Sequence, residues 1–168
     1  MTDIINRVTE SGLITIDLEN YSSKEEIIEI DITDQLWEGL VLKEQDFRNW
    51  IKDNDWNKFK GKQVYINCSA DAIVPTWTYM IIASSLSDIA LNYVVGSKLD
   101  LEKQIIQKNI SSIDLENLRD KRVVIKGCAS IAAPNFAMVE LVKYIQPVVK
   151  SIMFGEPCST VPVFKRKK

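Results

Sequence analysis

Three cysteines are the residues of this sequence best suited to do chemistry. Cys68, Cys128 and Cys158 each follow closely on a segment with the pattern of a β-strand. Thiolates are nucleophiles and soft metal ligands, and parallel strands end at one edge of their sheet, where open α/β folds place their sites. If the three strands belong to one sheet, the thiols converge. We then expect them to bind zinc, iron or an iron–sulfur cluster.

A tetrahedral zinc site or a conventional cluster needs a fourth ligand besides three thiolates. The chain contains no histidine, so a carboxylate, a water or a substrate has to supply it. Asp71 is the first candidate, because it lies three residues after Cys68 in the same loop, although an aspartate there more often accepts N–H hydrogen bonds at a helix start. Glu156 is the second. The predicted metal ligands are therefore Cys68, Asp71, Cys128 and Cys158.

The same cysteines allow two other functions. Cys68 and Cys128 precede predicted helix starts, where N–H groups and the helix dipole favour thiolate, so either could serve a thiol-based enzyme or a redox sensor. Alternatively, all three pack as small hydrophobes, and the protein is a noncatalytic interaction module with a basic tail at residues 164–168. A depressed thiol pKa without bound metal would favour the first alternative, and burial in separate apolar surroundings the second.

The composition excludes several classes of catalytic site. Without histidine there is no Ser-His-Asp or Cys-His-Asn system, no HExxH metalloprotease helix and no Cys2His2 zinc finger. The sequence also has no GxGxxG loop, no GxxxxGKS/T loop and no CxxC pair. Metal or cluster handling is thus a more natural expectation than catalysis, and whether the protein is an enzyme stays open.

Length and charge indicate one cytoplasmic domain covering residues 1–168. The 168 residues are 46% apolar and carry a net charge of -2, with a sequence pI near 5.3. This length can bury a core without disulfides, and three cysteines are an odd set for a disulfide framework. We expect no nucleic-acid or membrane partner, since broad positive charge, an export signal and long apolar stretches are all absent from the sequence.

The apolar periodicity predicts an α/β fold: a mainly parallel sheet with helices on both faces and an N-terminal antiparallel hairpin. Alternation over 13–18 and 28–32 predicts the hairpin, placed at 11–32. An amphipathic helix follows from about Lys43 to Asn54, and residues 62–155 then alternate as a β-α-β core, with helices beginning near Pro75 and Pro134. Residues 156–168 are expected to form an irregular C-terminal strap and a basic tail.

Three stretches of this sequence resemble the bacterial domain of unknown function family 2480. They are Asn6-Arg7-Val8 with Ser11-Gly12-Leu13, the run from Cys68 to Trp77, and the run from Pro147 to Pro162. The resemblance spans nearly the whole chain. It implies no activity, since the family is named for lacking one, but its members tend to be encoded beside iron–sulfur assembly components. The resemblance therefore implies iron–sulfur assembly proteins as partners and agrees with a thiolate site.

Overall fold

The computed structural model describes residues 12–127, 130–156 and 158–167 and divides the chain into two compact units. Unit 1 comprises Met1–Ser22 and Lys103–Lys168, and unit 2 comprises Ser23–Glu102. Each unit has its own parallel sheet and its own hydrophobic core. The sequence pattern predicted no such division, because no low-complexity linker marks either boundary.

Nine strands and four α-helices make up the described secondary structure. The strands are β1 (Leu13–Asp17), β2 (Ile27–Asp31), β3 (Leu36–Trp37), β4 (Val41–Leu42), β5 (Gln63–Asn67), β6 (Asn92–Val95), β7 (Arg122–Lys126), β8 (Ser151–Glu156) and β9 (Ser159–Lys165). The helices are α1 (Glu44–Asp53), α2 (Thr76–Leu86), α3 (Lys98–Ser111) and α4 (Pro134–Ile145). Short 3-10 helices occupy residues 18–21, 32–35, 56–59 and 116–118.

The predicted α/β class with mainly parallel pairing is confirmed. Unit 2 has the strand order β2-β5-β6 and unit 1 the order β1-β7-β8-β9, and only the β8–β9 pair within these two sheets is antiparallel among the described residues. The antiparallel hairpin near the N-terminus is β3–β4, not the segment 11–32. The two strands within residues 11–32 do not pair with each other: β1 pairs in parallel with β7, and β2 pairs in parallel with β5. Alternation showed that these strands are half-buried, but it carries no information about their distant partners.

In unit 1, helix α4 packs on the sheet through one apolar stripe. The fully buried residues of this core include Val123 and Ile152 from the strands and Ala137, Leu141 and Ile145 from α4. The helix starts at Pro134, where a residue without an N–H is tolerated because the first N–H groups of a helix have no partner within it. This packing fixes β7 and β8 side by side and so fixes the edge at which both strands end.

The segment expected as an irregular strap instead forms strand β9. It runs antiparallel to β8 as a hairpin in which Glu156 is opposite Ser159, and it includes a register shift between Ile152 and Met153. Pro162 is compatible with this strand because β9 lies at the edge of the sheet, where one side of the backbone makes no ladder hydrogen bonds. The prolines of this stretch suggested a loop, but an edge strand accommodates proline equally well.

In unit 2, an aromatic cluster stabilises the packing of α1 against α2. Phe47 is fully buried, and its ring centroid lies 5.4 Å from that of Trp50 and 5.8 Å from that of Trp77. Trp56 stacks edge-on against Trp50 and donates a hydrogen bond from Nε1 to the backbone oxygen of Ile51 at 2.8 Å. The i, i+3, i+4 spacing of α1 predicted this buried face correctly.

The two units repeat one module with a constant spacing of residue numbers. In unit 2 Gln63 is opposite Asn92, and in unit 1 Arg122, 59 positions later, is opposite Ser151. Backbone hydrogen bonds repeat at the same spacing: Gly61 N donates to Ile89 O at 3.0 Å, and Asp120 N donates to Val148 O at 2.9 Å. Both donors have positive φ, 69° and 55° respectively.

The repeat extends to the caps and the helices. Asp55 accepts a hydrogen bond from Asn57 N at 3.0 Å, and Asp114, at the same spacing, accepts one from Glu116 N at 2.9 Å. Prolines 75 and 134 begin equivalent helices, α2 and α4. Each unit also contains a strand that ends in aspartate and leads into a 3-10 helix. This strand is β1 in unit 1, which ends at Asp17, and β2 in unit 2, which ends at Asp31. The carboxyl ends of the strands in the two units can therefore be compared position by position.

Candidate functional site

The structure separates the strand of Cys68 from the strands of the other two cysteines. Cys68 directly follows β5 of unit 2, whereas Cys158 follows β8 of unit 1 by two residues. Cys128 comes two residues after β7 and lies outside the described residues. The premise of one sheet shared by all three strands is therefore wrong, since β5 belongs to a different sheet. It holds for β7 and β8, which are parallel neighbours with Ile125 opposite Phe154.

Cys158 occupies an exposed position in the turn between β8 and β9. The turn joins Glu156 to Ser159, which are opposite each other in the antiparallel pair. Glu156, the second carboxylate candidate, is also exposed. The thiol and the carboxylate thus flank the end of β8 on a solvent-accessible part of unit 1, where an ion or a partner can approach.

Cys68 is partly covered and held by hydrogen bonds. Its Sγ donates to the backbone oxygen of Ala70 at 3.5 Å and contacts the hydroxyl of Thr33 at 3.7 Å. The side chain packs against the core of unit 2. Burial, and to a smaller extent the neighbouring Cys68, raises the pKa of Tyr79. Cys68 is therefore less accessible than the exposed Cys158, so its surroundings favour packing more than nucleophilic attack.

The carboxylate of Asp31 fastens the loop after Cys68 to the end of β2. Asp31 Oδ2 accepts a hydrogen bond from Ser69 Oγ at 2.5 Å, and Oδ1 accepts from Ser69 N at 3.1 Å and from Thr33 N at 2.9 Å. The Thr33 hydroxyl in turn accepts a hydrogen bond from Ala70 N at 3.1 Å. These bonds join the ends of β2 and β5, which are adjacent in the sheet, and fix the backbone on both sides of Ser69.

The same hydrogen bonds keep Asp31 ionised. Desolvation raises the pKa of its carboxyl, but hydrogen bonds from the side chains and backbone N–H groups of Ser69 and Thr33 outweigh that effect and lower the pKa from 3.8 to about 2. A general base near neutral pH requires a far higher pKa. Asp31 is therefore unsuited to activate Ser69 or Cys68 by removing a proton, and its role in this cluster is to position the loop.

Asp71, the proposed fourth ligand, is exposed in the loop after Cys68. Its alternative role as a helix cap is not realised, because α2 has Pro75 at its N-cap position and no side-chain hydrogen bond caps it. Within residues 12–127, 130–156 and 158–167, no group of three or more Cys, Asp or Glu side chains is arranged to hold a metal ion. Of the four predicted ligands, the structure thus places Cys68 and Asp71 in one loop, with Cys158 in the other unit.

Unit 1 has an equivalent aspartate, which sequence analysis missed along with Asp31. Asp17 ends β1, accepts a hydrogen bond from Glu19 N at 3.1 Å and lies 3.4 Å from Lys126 Nζ. Gly127 has φ 82°, and a Cβ at this position would lie 2.3 Å from Asp17 Oδ1. The chain therefore needs glycine where it passes the carboxylate. The available signal was the Ile-Asp dipeptide that ends both β1 and β2.

Cys68 and Cys128 are offset by one residue in the numbering of the internal repeat. They are 60 positions apart, whereas the strand register repeats after 59 positions. Counted in that register, Gly127 corresponds to Cys68, and residue number 128 corresponds to Ser69, the residue whose hydroxyl donates to Asp31.

The model of a known protein family matches nearly the whole chain. The family model described as "Protein of unknown function (DUF2480)" matches residues 2–166. A search of curated proteins and a search of solved structures each gave no significant match. Among the described residues, no helix has the length and apolar character required to cross a membrane.

Proposed function

The chain belongs to the DUF2480 family of proteins of unknown function, and we propose that it binds a metal ion or an iron–sulfur cluster through cysteine thiolates. The observation that supports this proposal is the adjacency of β7 and β8, which end at the same edge of one sheet. Neighbouring strands are about 4.8 Å apart. Two thiolates on one zinc ion, each bonded at about 2.3 Å, have their sulfurs roughly 4 Å apart. The spacing of adjacent strands is thus compatible with two thiolates that share one ion.

Cys128 and Cys158 form the minimal ligand pair of this proposal. Glu156 is the carboxylate closest to Cys158 along the chain, and water or a substrate can complete the coordination. Cys68 and Asp71 remain proposed ligands, and the Cys68→Ser variant described below tests whether Cys68 takes part. The proposal places the protein in the reducing cytoplasm, where free thiols persist, with iron–sulfur assembly proteins as partners.

Metal or cluster handling is a better proposal than thiol catalysis. The pKa of Asp31, about 2, excludes it as the base that would activate Cys68 near neutral pH. The Cys68 side chain is also partly covered and packs against the core of unit 2, which limits its access to a substrate. A redox sensor that uses Cys128 is the alternative, and it predicts rapid alkylation of that thiol in protein that holds no metal.

Metal content of the purified protein tests the proposal. The protein is purified anaerobically without chelators, and zinc, iron and acid-labile sulfide are measured for the parent, for Cys128→Ser/Cys158→Ser and for Cys68→Ser. We expect about one equivalent of ion or cluster in the parent and its loss in the double variant, because serine is a poor ligand for soft metals. Retention by Cys68→Ser would assign the site to unit 1. A parent that stays empty after reconstitution with zinc, or with iron and sulfide, would refute the proposal.

A further inference from the structure

An open apolar groove lies in unit 1 between α4 and the β8–β9 hairpin. It has a volume of about 480 Å³ and is lined by Ile125, Pro134, Asn135, Met138, Val142, Phe154, Val161 and Val163. Only one of these eight side chains is polar. Val161 and Val163 are 63% and 52% exposed, and Phe154 is 37% exposed. Apolar side chains that are exposed together beside a groove are a feature of interaction surfaces.

The openness of the groove favours a helix over a small molecule as its occupant. Pockets for small ligands bury most of the ligand surface. Here the valines of β9 form one wall that is more than half exposed, so a small ligand would remain largely in water. An open groove between a helix and a hairpin suits an amphipathic helix, which inserts apolar side chains at i, i+3, i+4 and i+7.

Strand addition at the edge of the sheet is disfavoured as the mode of binding. β9 is an edge strand, and such a strand can pair with an extended peptide. Pro162, however, has no N–H, and the register shift between Ile152 and Met153 interrupts the regular ladder next to it. Both features protect an edge against pairing. The partner therefore binds through side chains in the groove and not through the backbone of β9.

Charge next to the groove indicates an acidic partner. The chain has a net charge of -2, yet its last four residues, 165–168, are all basic and directly follow the valines of β9. An adjoining cavity of about 450 Å³ shares Val142 with the groove and is lined in part by Lys143 and Arg166. Arg166 pairs with Asp120 and Lys143 with Glu140, both at 2.6 Å. Lys165 and Lys167 carry positive charge beyond these two pairs, and such charge attracts acidic partners.

We propose that this groove binds an amphipathic helix of another protein, with apolar side chains in the groove and acidic side chains beside the basic tail. The proposal rests on the shape, exposure and charge of unit 1. It does not depend on metal binding and stands if the thiolate site is refuted.

Methionine methyl NMR on the full-length protein tests the groove. The probe is a synthetic helical peptide of about 18 residues with leucine at i, i+3, i+4 and i+7 and glutamate at most other positions. Met138 lines the groove, whereas Met80 is 68% exposed in unit 2 and serves as an internal reference. We expect the Met138 methyl signal to shift on titration and the Met80 signal to stay in place. A lysine-for-glutamate peptide should bind at least about tenfold more weakly at low salt.

Exposed positions provide variants that should fold normally. Val161→Thr/Val163→Thr keeps the β-branched shape but places hydroxyls on the groove wall, and it should weaken peptide binding about tenfold. Ile73→Thr, at a position that is 82% exposed in unit 2, is the matched control and should leave binding unchanged. Equal affinity for both peptides, or no Met138 shift, would overturn the proposal. Another result would also overturn it: the glutamate peptide fails to bind, but the protein binds phosphatidylserine vesicles or self-associates, and Val161→Thr/Val163→Thr abolishes that binding or self-association.

Discussion

Replacing Phe47 with alanine is expected to lower the free energy of unfolding of unit 2 by about 3–5 kcal/mol. The ring is completely buried and contacts Trp50 and Trp77, so its removal leaves a cavity and breaks two aromatic pairs. Since whole domains are stable by only about 5–15 kcal/mol, this loss would bring unit 2 close to unfolding.

Tryptophan fluorescence during urea unfolding measures this effect selectively. All four tryptophans of the chain, at positions 37, 50, 56 and 77, lie in unit 2, so the signal reports on that unit. Phe47→Leu keeps most of the apolar volume and should be destabilised less than Phe47→Ala. Met80→Ala, at an exposed position of the same unit, should change stability by no more than about 0.5 kcal/mol. A loss below about 1 kcal/mol for Phe47→Ala would contradict the described core.

Replacing Asp31 with asparagine is expected to cost about 1–3 kcal/mol at neutral pH, because the carboxylate accepts charge-assisted hydrogen bonds from Ser69 and Thr33. The effect depends on pH with a defined sign. The folded-state pKa is about 2, below the ordinary value of 3.8. The carboxylate thus stabilises the fold fully above about pH 4, and this contribution is lost as the pH falls through about 2.

Urea unfolding of parent and Asp31→Asn between pH 7 and pH 2 checks the prediction. The difference between the two proteins should be constant near neutrality and shrink below about pH 4. Asp34→Asn removes a charge from an exposed residue of the 3-10 helix that Asp31 caps, and it serves as the control, with little change expected. A difference that stayed constant down to pH 2 would show that the Asp31 carboxylate is not preferentially ionised in the folded protein.

Local patterns predicted the elements whose signals are local. Helix α4 begins at Pro134, as its first-turn proline predicted. Helix α1 differs from the predicted range by one residue at each end. In these segments the side chains that set the structure are neighbours in sequence, so periodicity and capping suffice.

The pairing of strands could not be predicted, and the site depended on it. Leu13 is opposite Arg122 and Ile27 is opposite Gln63, and no local pattern distinguishes these partners from a hairpin between β1 and β2. The cysteines were recognised by type, but the convergence of all three required a single sheet. Asp17 and Asp31 looked like ordinary polar strand ends. Their importance is visible only when the partner strands bring Gly127 and Ser69 against them.

X-ray absorption at the metal edge of the loaded protein tests the thiolate site most directly. The proposal predicts at least two sulfur scatterers at about 2.3 Å from the bound ion. It also predicts that Cys128→Ser and Cys158→Ser each remove sulfur from the first coordination shell, whereas Met80→Ala, at an exposed position on α2 that is not a proposed ligand, does not. A shell of oxygen or nitrogen alone, or a sulfur shell unchanged in both cysteine variants, would contradict the proposal.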